Sequence, residues 1–330
     1  VTEASAVGSL PGEDVARAMR VVRELYDDKG IPYLPELPDR GPGADLIGRT
    51  AALLVELPVD LQPSGWRLTD APGRDVVRAG GFLRHDLDEL AEVYDGYSGP
   101  LKLQVCGPWT LAATLALPRG ERAVTDPGAT RDLIQSLAAG VGEHVGIVRR
   151  LVPGAEIVLQ WDEPALPAVL AGRLPTASGF GRVRAVEPIT VRDGLATVTE
   201  SVAGQVDSQV LHCCAPDVPV PLVRQLDGLQ LGVDVSLLKA SQWDGVAELV
   251  ESGRRLWAGI VPTGSSARHP REHTEPFLDR WRRVGLEARL LDSVVVTPAC
   301  GLAGASPGAA LAIQQLTVQA ADLLTGAASD

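Results

Sequence analysis

The chain has 330 residues, 45% of them hydrophobic, with 35 glycines and a formal charge of −12 at pH 7. That charge argues against a nucleic-acid partner, which needs a basic face, and no apolar run reaches the roughly 18 residues of a membrane span. The four cysteines, Cys106, Cys213, Cys214 and Cys300, fall far below the density of a disulfide scaffold, and no leader-like pattern opens the chain, so a reducing, cytoplasmic setting is expected.

Ser5 to Ser9 reads as a short strand, and Pro11 opens a helix through about Asp27, proline being suited to a helix's first turn. Pro32 to Glu36 is a second extended run, followed by an apolar helix from Leu46 to Leu57. Residues 58–81, punctuated by Gly and Pro, read as an irregular insertion, and residues 86–97 as a helix. Leu101 to Cys106 is a strand stopped by Gly107-Pro108, and a long helix covers residues 126–151. The strand Glu156 to Trp161 exits at Asp162-Glu163-Pro164; a loop over 172–186 and a helix over 191–203 follow. Gln209 to Leu211 then delivers His212, Cys213 and Cys214 to a stop at Ala215-Pro216. Beyond it, helices at 218–225, 243–251, 273–287 and 307–325 alternate with strands at 229–235, 255–261 and 293–297.

Strands thus alternate with helices about eight times, the pattern of a parallel sheet with crossover helices. In a chain of this length the pattern predicts an α/β fold, a single (β/α)8 TIM barrel over residues 1–330. No G-x-G-x-x-G follows the first strand, which argues against a dinucleotide site. A TIM barrel carries its active site at the C-terminal ends of its strands. Ser9, Glu36, Cys106, Asp162, His212, Cys214, Asp234, Ser236 and Cys300 all fall at such ends.

Two apart on a strand, His212 and Cys214 point to one face while Cys213 faces away. Imidazole and thiolate are zinc ligands, and Cys300, closing another β-rich run, is a third soft donor. Three protein ligands with one open position is the catalytic form of a zinc site. The plainer alternative is that His212 and Cys214 only pack at a strand end.

Six short motifs occur in a fixed order: Val7-Gly8-Ser9-Leu10-Pro11, then Glu36 with Arg40 and Asp45, then Gly107-Pro108-Trp109-Thr110. Asp162-Glu163-Pro164-Ala165-Leu166, His212-x-Cys214 and Pro298-Ala299-Cys300-Gly301-Leu302 complete the set. Together they resemble the catalytic barrel, and that barrel alone, of the cobalamin-independent methionine synthase family. The resemblance implies zinc on His212, Cys214 and Cys300. It also implies that Ser9 and the backbone near Val7 hold an amino-acid carboxylate, while Glu36 and Asp162 hold its ammonium. Carboxylates at neighbouring strand ends suit a cation, and a hydroxyl beside N–H groups suits an anion; a salt bridge to an arginine such as Arg40 is the alternative for the two acids. The implied activity is a zinc-dependent methyltransferase of methionine biosynthesis that methylates a thiol, most simply homocysteine. The implied methyl donor is methyltetrahydrofolate or a methylcorrinoid protein.

Two positions depart from the family. Its fourth zinc ligand, a glutamate on the next strand, falls at Ser236; Asp234 shares that face but lies too far down the strand to reach the metal. Its general acid, usually His, has no counterpart in Ile260-Val261-Pro262-Thr263-Gly264. His269 is the nearest candidate acid, four residues before His273, with Pro270 marking a helix start. Another zinc-dependent thiol alkyltransferase, a metal-free decarboxylase of the uroporphyrinogen type and a non-catalytic thiol- or metal-binding barrel are the competing readings. Cys106 and Cys213 are expected as buried apolar side chains. Trp109 and Trp161 are expected to pack near the site, and Gly179 to Arg184 to form a surface loop.

Overall fold

The computed structural model describes residues 1–264 and 269–329. Its strands are β1 (Glu3–Ala4), β2 (Val59–Gln62), β3 (Gly65–Leu68), β4 (Ser98–Cys106), β5 (Gly154–Asp162), β6 (Ser208–Cys213), β7 (Leu229–Asp234), β8 (Leu256–Val261) and β9 (Val294–Pro298). Seven of them form one parallel sheet in the order β1-β9-β8-β7-β6-β5-β4, while β2 and β3 make a separate antiparallel hairpin. The apolar runs of β8 and β9 are buried throughout, as parallel strands covered on both faces require.

The sheet curls, because one stretch of chain touches both of its edges. Gly30 bridges Ala4 of β1, and Tyr33 bridges Lys102 of β4, both in parallel sense. Ile31 N–H donates to Ala4 O at 2.8 Å, and Leu34 N–H to Lys102 O at 3.0 Å. Pro32 and Pro35 remove two backbone donors from this stretch, which limits it to isolated bridges where a regular strand was expected.

Alternation along the strands then separates two cores. The larger lies between sheet and helices. The smaller joins Ile31, Val158, Val210, Trp257 and Val295, contributed by five different segments. On β5 the face of Val158 continues to Gln160 and Asp162, and on β6 the face of Val210 continues to His212. The small core is therefore an apolar floor, with polar side chains stacked above it toward the strand ends.

Some helix limits differ from the sequence reading for physical reasons. The first helix is Val15–Tyr26, capped by Asp14, whose carboxylate accepts from Arg17 N–H at 2.9 Å; Pro11 stays outside it. Asp45 caps Leu46–Ala51, which ends after six residues, well before Leu57. Residues 58–81 are ordered: the β2–β3 hairpin comes first, then a helix Arg74–Val93 runs through Gly80 and Gly81. Burial of Ala79, Leu83, Leu87 and Leu90 gives that helix its apolar stripe and overrides the glycine pair. Pro127–Leu151 matches expectation, with Asp126 as its cap. Among the described residues no helix is long and apolar enough to cross a membrane.

Candidate active site

The polar layer above the floor comes from strand alternation in β4 and β5. Parallel pairing sets Gln104 beside Gln160 and Cys106 beside Asp162, one strand over from His212. Lys102, completely buried, donates from Nζ to Val7 O at 2.8 Å and to Gln104 Oε1 at 3.2 Å. Burial pulls its ammonium down to about 8, against the opposing pull of Asp162 and Glu36. Gln160 Nε2 donates to the same Val7 carbonyl at 2.8 Å and to Asp162 Oδ1 at 2.9 Å.

At the rim, Asp162 Oδ1 lies 2.6 Å from His212 Nδ1. That contact directs the other ring nitrogen, Nε2, away from the carboxylate. Cys214, one residue beyond the end of β6, brings its Sγ to 3.1 Å from Cys300 Sγ, which follows β9. The mutual hydrogen bond of the two thiols lowers Cys300 to about 6 while holding the Cys214 proton well above the ordinary thiol range.

Glu36 bridges Ser9 in the parallel sense, and its N–H donates to Gly8 O at 3.1 Å. Burial pushes its carboxyl up to about 7, with Arg49 the chief opposing influence. Arg49 Nε stands 3.8 Å from Glu36 Oε1 and also pairs with Asp86. Arg40 does not meet Glu36; its guanidinium clasps Asp86 at 2.6 and 2.9 Å. Glu36, Asp86 and Asp162 are thus balanced by Arg40, Arg49 and Lys102. Ser9 has room because position 301 is glycine: a Cβ there would collide with Ser9 Oγ.

One cavity of about 320 Å³ is lined by Val7, Ser9, Glu36, Asp162, His212, Cys214 and Cys300 together. The structure therefore brings seven expected site residues into one space and leaves the eighth out. His269 is exposed just before the helix Arg271–Arg283 and does not line the cavity. Asp234 and Ser236 also stand apart from it. The strand stops at Asp234, and a tight turn over Val235–Leu237 follows, so spacing by two no longer sets a common face. Asp234 Oδ1 instead accepts from Ser236 N–H at 2.9 Å and from its hydroxyl at 2.6 Å.

Cys106 and Cys213 are buried, and desolvation raises both thiols, Cys213 to about 12. Trp109 and Trp161 are buried, donating their indole N–H groups to Val191 O and Gln209 Oε1 at 2.9 Å each. Phe180 is 99% exposed, and within the 179–184 surface loop Val183 alone is buried, against the main core.

Lys102, Gln104, Gln160 and Arg49 escaped the sequence reading, and Glu163 entered it only as part of a motif, with no role of its own. The Lys102-x-Gln104 and Gln160-x-Asp162 spacings were the available signal, since polar residues two apart on an otherwise apolar strand share one face. Glu163 links the motifs at the ends of β4 and β5. Its carboxylate accepts from Trp109 N–H and Thr110 N–H at 2.8 Å and from Thr110 Oγ1 at 2.7 Å, capping the helix Pro108–Thr114. Gly107 allows this approach: a Cβ there would lie 2.5 Å from the Glu163 side chain.

The donors present suit zinc in kind, being two sulfurs and one imidazole steadied by a carboxylate. Among the described residues, however, no three His, Cys, Asp or Glu side chains already stand together as a metal-binding group. The sulfur separation of 3.1 Å is shorter than the roughly 3.8 Å spanned by two thiolates on tetrahedral zinc.

A family model described as the catalytic domain of cobalamin-independent synthase matches residues 93–323. Comparison with curated proteins finds no match. Among solved structures, a B12-independent methionine synthase from Shewanella sp. W3-18-1, in complex with selenomethionine, is similar at a TM-score of 0.64. It is 12% identical, and the alignment covers 99% of this chain and 98% of that one. At that identity the likeness speaks for the fold. A GH20 β-N-acetylhexosaminidase from Streptomyces coelicolor A3(2) is also 12% identical, over 71% of this chain and 60% of that one, with a TM-score of 0.31 that carries no weight.

Proposed function

The chain belongs to the cobalamin-independent synthase family through its catalytic domain, and from that premise we propose that it is a zinc-dependent methyltransferase acting on a thiol, most simply homocysteine. Its product would be methionine. The observation that carries the reading is the single cavity shared by the cysteine pair, His212, Asp162, Glu36 and Ser9. The 330 residues act as one barrel unit, with residues 30–36 in place of the eighth strand.

Each group has a task in this reading. Ser9 Oγ and the neighbouring backbone N–H groups donate to the substrate carboxylate. Glu36 and Asp162 Oδ2 accept from its ammonium, Oδ1 being engaged by His212 and Gln160. The cavity lining carries the carboxylates Glu36, Asp45 and Asp162 and no Arg or Lys, so the ligand's ammonium meets full opposite charge while its carboxylate meets neutral donors. His212 Nε2, Cys214 Sγ and Cys300 Sγ would hold the zinc, with Asp162 fixing the imidazole through Nδ1. Bound zinc supplies an open position that lowers the pKa of the substrate thiol. Anchoring both ends of the amino-acid group leaves the side-chain sulfur beside Cys214 and Cys300. Much of the acceleration is then positional.

The methyl donor is methyltetrahydrofolate or a methylcorrinoid protein. A metal-free decarboxylase would need cations facing its substrate, yet none of the residues lining the cavity is Arg or Lys. Metal analysis combined with an assay of methionine formation from each donor tests the proposal. Zinc bound one to one, lost in Cys300→Ser and kept in Cys213→Ser, is the expected result. Full zinc occupancy in Cys300→Ser would sink the metal assignment, and tight homocysteine binding without turnover on either donor would favour a thiol-binding barrel.

A further inference from the structure

The Val7 carbonyl is held by two donors from two strands, Lys102 Nζ on β4 and Gln160 Nε2 on β5, each at 2.8 Å. Both side chains are buried, and Lys102 also lies over the Tyr33 ring at 5.3 Å. Placing an ammonium in a protein interior is costly unless it is well partnered. A lysine in that position with a backbone carbonyl as its nearest partner therefore calls for a reason.

Peptide geometry supplies one. In a planar trans peptide the C=O and the N–H point to opposite sides. With Val7 O drawn inward to Lys102 and Gln160, the N–H of Gly8 is turned the other way, and Val7, Gly8 and Ser9 all line the cavity. Among the described residues no hydrogen bond uses the N–H of Gly8 or of Ser9. Glycine is needed at position 8 for this arrangement. Its φ is +151°, and a Cβ would lie 2.7 to 2.9 Å from atoms of the Gln104 side chain.

We infer that Lys102 and Gln160 are positioning residues for carboxylate recognition: by holding Val7 O they aim the Gly8 N–H at the substrate's carboxylate. This rests on the amino-acid-thiol reading given above. The Lys102 charge also lies close enough to feel both Glu36 and Asp162. It therefore offsets the repulsion those two acids exert on an incoming carboxylate.

Calorimetry with two ligands reads the effect directly. Methionine carries the carboxylate; 3-(methylthio)propylamine keeps the thioether and ammonium without it. The unsubstituted protein is expected to prefer methionine. In Lys102→Met and in Gln160→Met that preference should shrink by about 10-fold or more, the size of a lost hydrogen bond to a charged group. A merely structural role would weaken both ligands alike and leave their ratio unmoved. Thermal melting checks that each variant is folded. Should Lys102→Met fail to fold, Gln160→Met carries the test, since it removes a neutral donor from the same carbonyl. A folded Lys102→Met or Gln160→Met protein with the full preference overturns the inference. An unsubstituted protein indifferent to the two ligands overturns the amino-acid reading, and this inference with it.

Discussion

The exits of β5 and β6 and those of β7 and β8 adjoin in one sheet yet carry opposite inventories. At the first pair stand Asp162, tied to His212 and to Gln160 beneath, and Cys214, paired with Cys300. At the second pair Asp234 is turned aside to Ser236, and β8 leaves through Ile260, Val261 and Pro262. Inward positions of the second pair include Gly232, in register with Asp162 and His212 of the first pair, and Gly259, one step further toward the rim beside Asp234. A Cβ on Gly232 would already touch the His212 ring at 3.4 Å. One half of the rim supplies groups, and the other supplies the space in which those groups stand.

The contrast breaks most sharply at the cysteines. Cys214→Ser or Cys300→Ser should lower zinc affinity and methyl transfer by roughly 100-fold or more, since each removes a donor of the proposed site. Cys213→Ser should change neither, because that thiol is buried in the core; metal content by mass spectrometry and single-turnover assay separate the three. Asp162→Asn comes next. It deprives His212 of its orienting carboxylate, and zinc affinity measured against a chelator should fall about 10- to 100-fold.

Glu36 gives a pH test of the group-bearing half. Its carboxyl titrates near 7 because burial favours the neutral acid. The fold thus favours the protonated form, and the associated stability fades as pH rises from the ordinary carboxylate range to about 7. Ammonium binding runs the other way, because only the ionised carboxylate attracts it. Methionine affinity should rise as pH climbs through about 7, falling by up to tenfold per unit below it, and Glu36→Gln should flatten the profile. The smallest effect belongs to the space-giving half. Asp234→Ala removes a turn cap, so it should cost about 1 kcal/mol in chemical denaturation and leave zinc content unchanged. Loss of metal in that variant would erase the distinction between the two halves.

How much of this could be read from residues alone varied with the kind of signal. Motifs at strand exits carried their position with them: Pro216 and Gly107-Pro108 end strands by backbone chemistry, so His212, Cys214 and Cys106 could be placed without coordinates. The interior layer was harder. Lys102 looks like a surface residue until the sheet curls and its face becomes the inside. Asp234 and Ser236 failed for a local reason, because a strand rule was extended across a tight turn. The helix over Arg74–Val93 was obscured by Gly80 and Gly81, whose cost is repaid by the Ala79, Leu83, Leu87 and Leu90 stripe. Glu163 shows the opposite limit: its partners lie more than 50 residues away in sequence, and only the β4–β5 register brings them within reach.

The proline-interrupted stretch between β1 and β4 has one more effect. A seam held by isolated bridges frays at a lower free energy than the continuous ladder joining β5 to β6. Glu36 sits at the end of that seam, so whatever fills the cavity also resists its fraying. Occupancy should be felt first in the amide exchange of Ile31, Leu34 and Glu36, while the β5 and β6 amides keep their protection in either state. Ligand capture and local breathing in this protein are two readings of a single equilibrium.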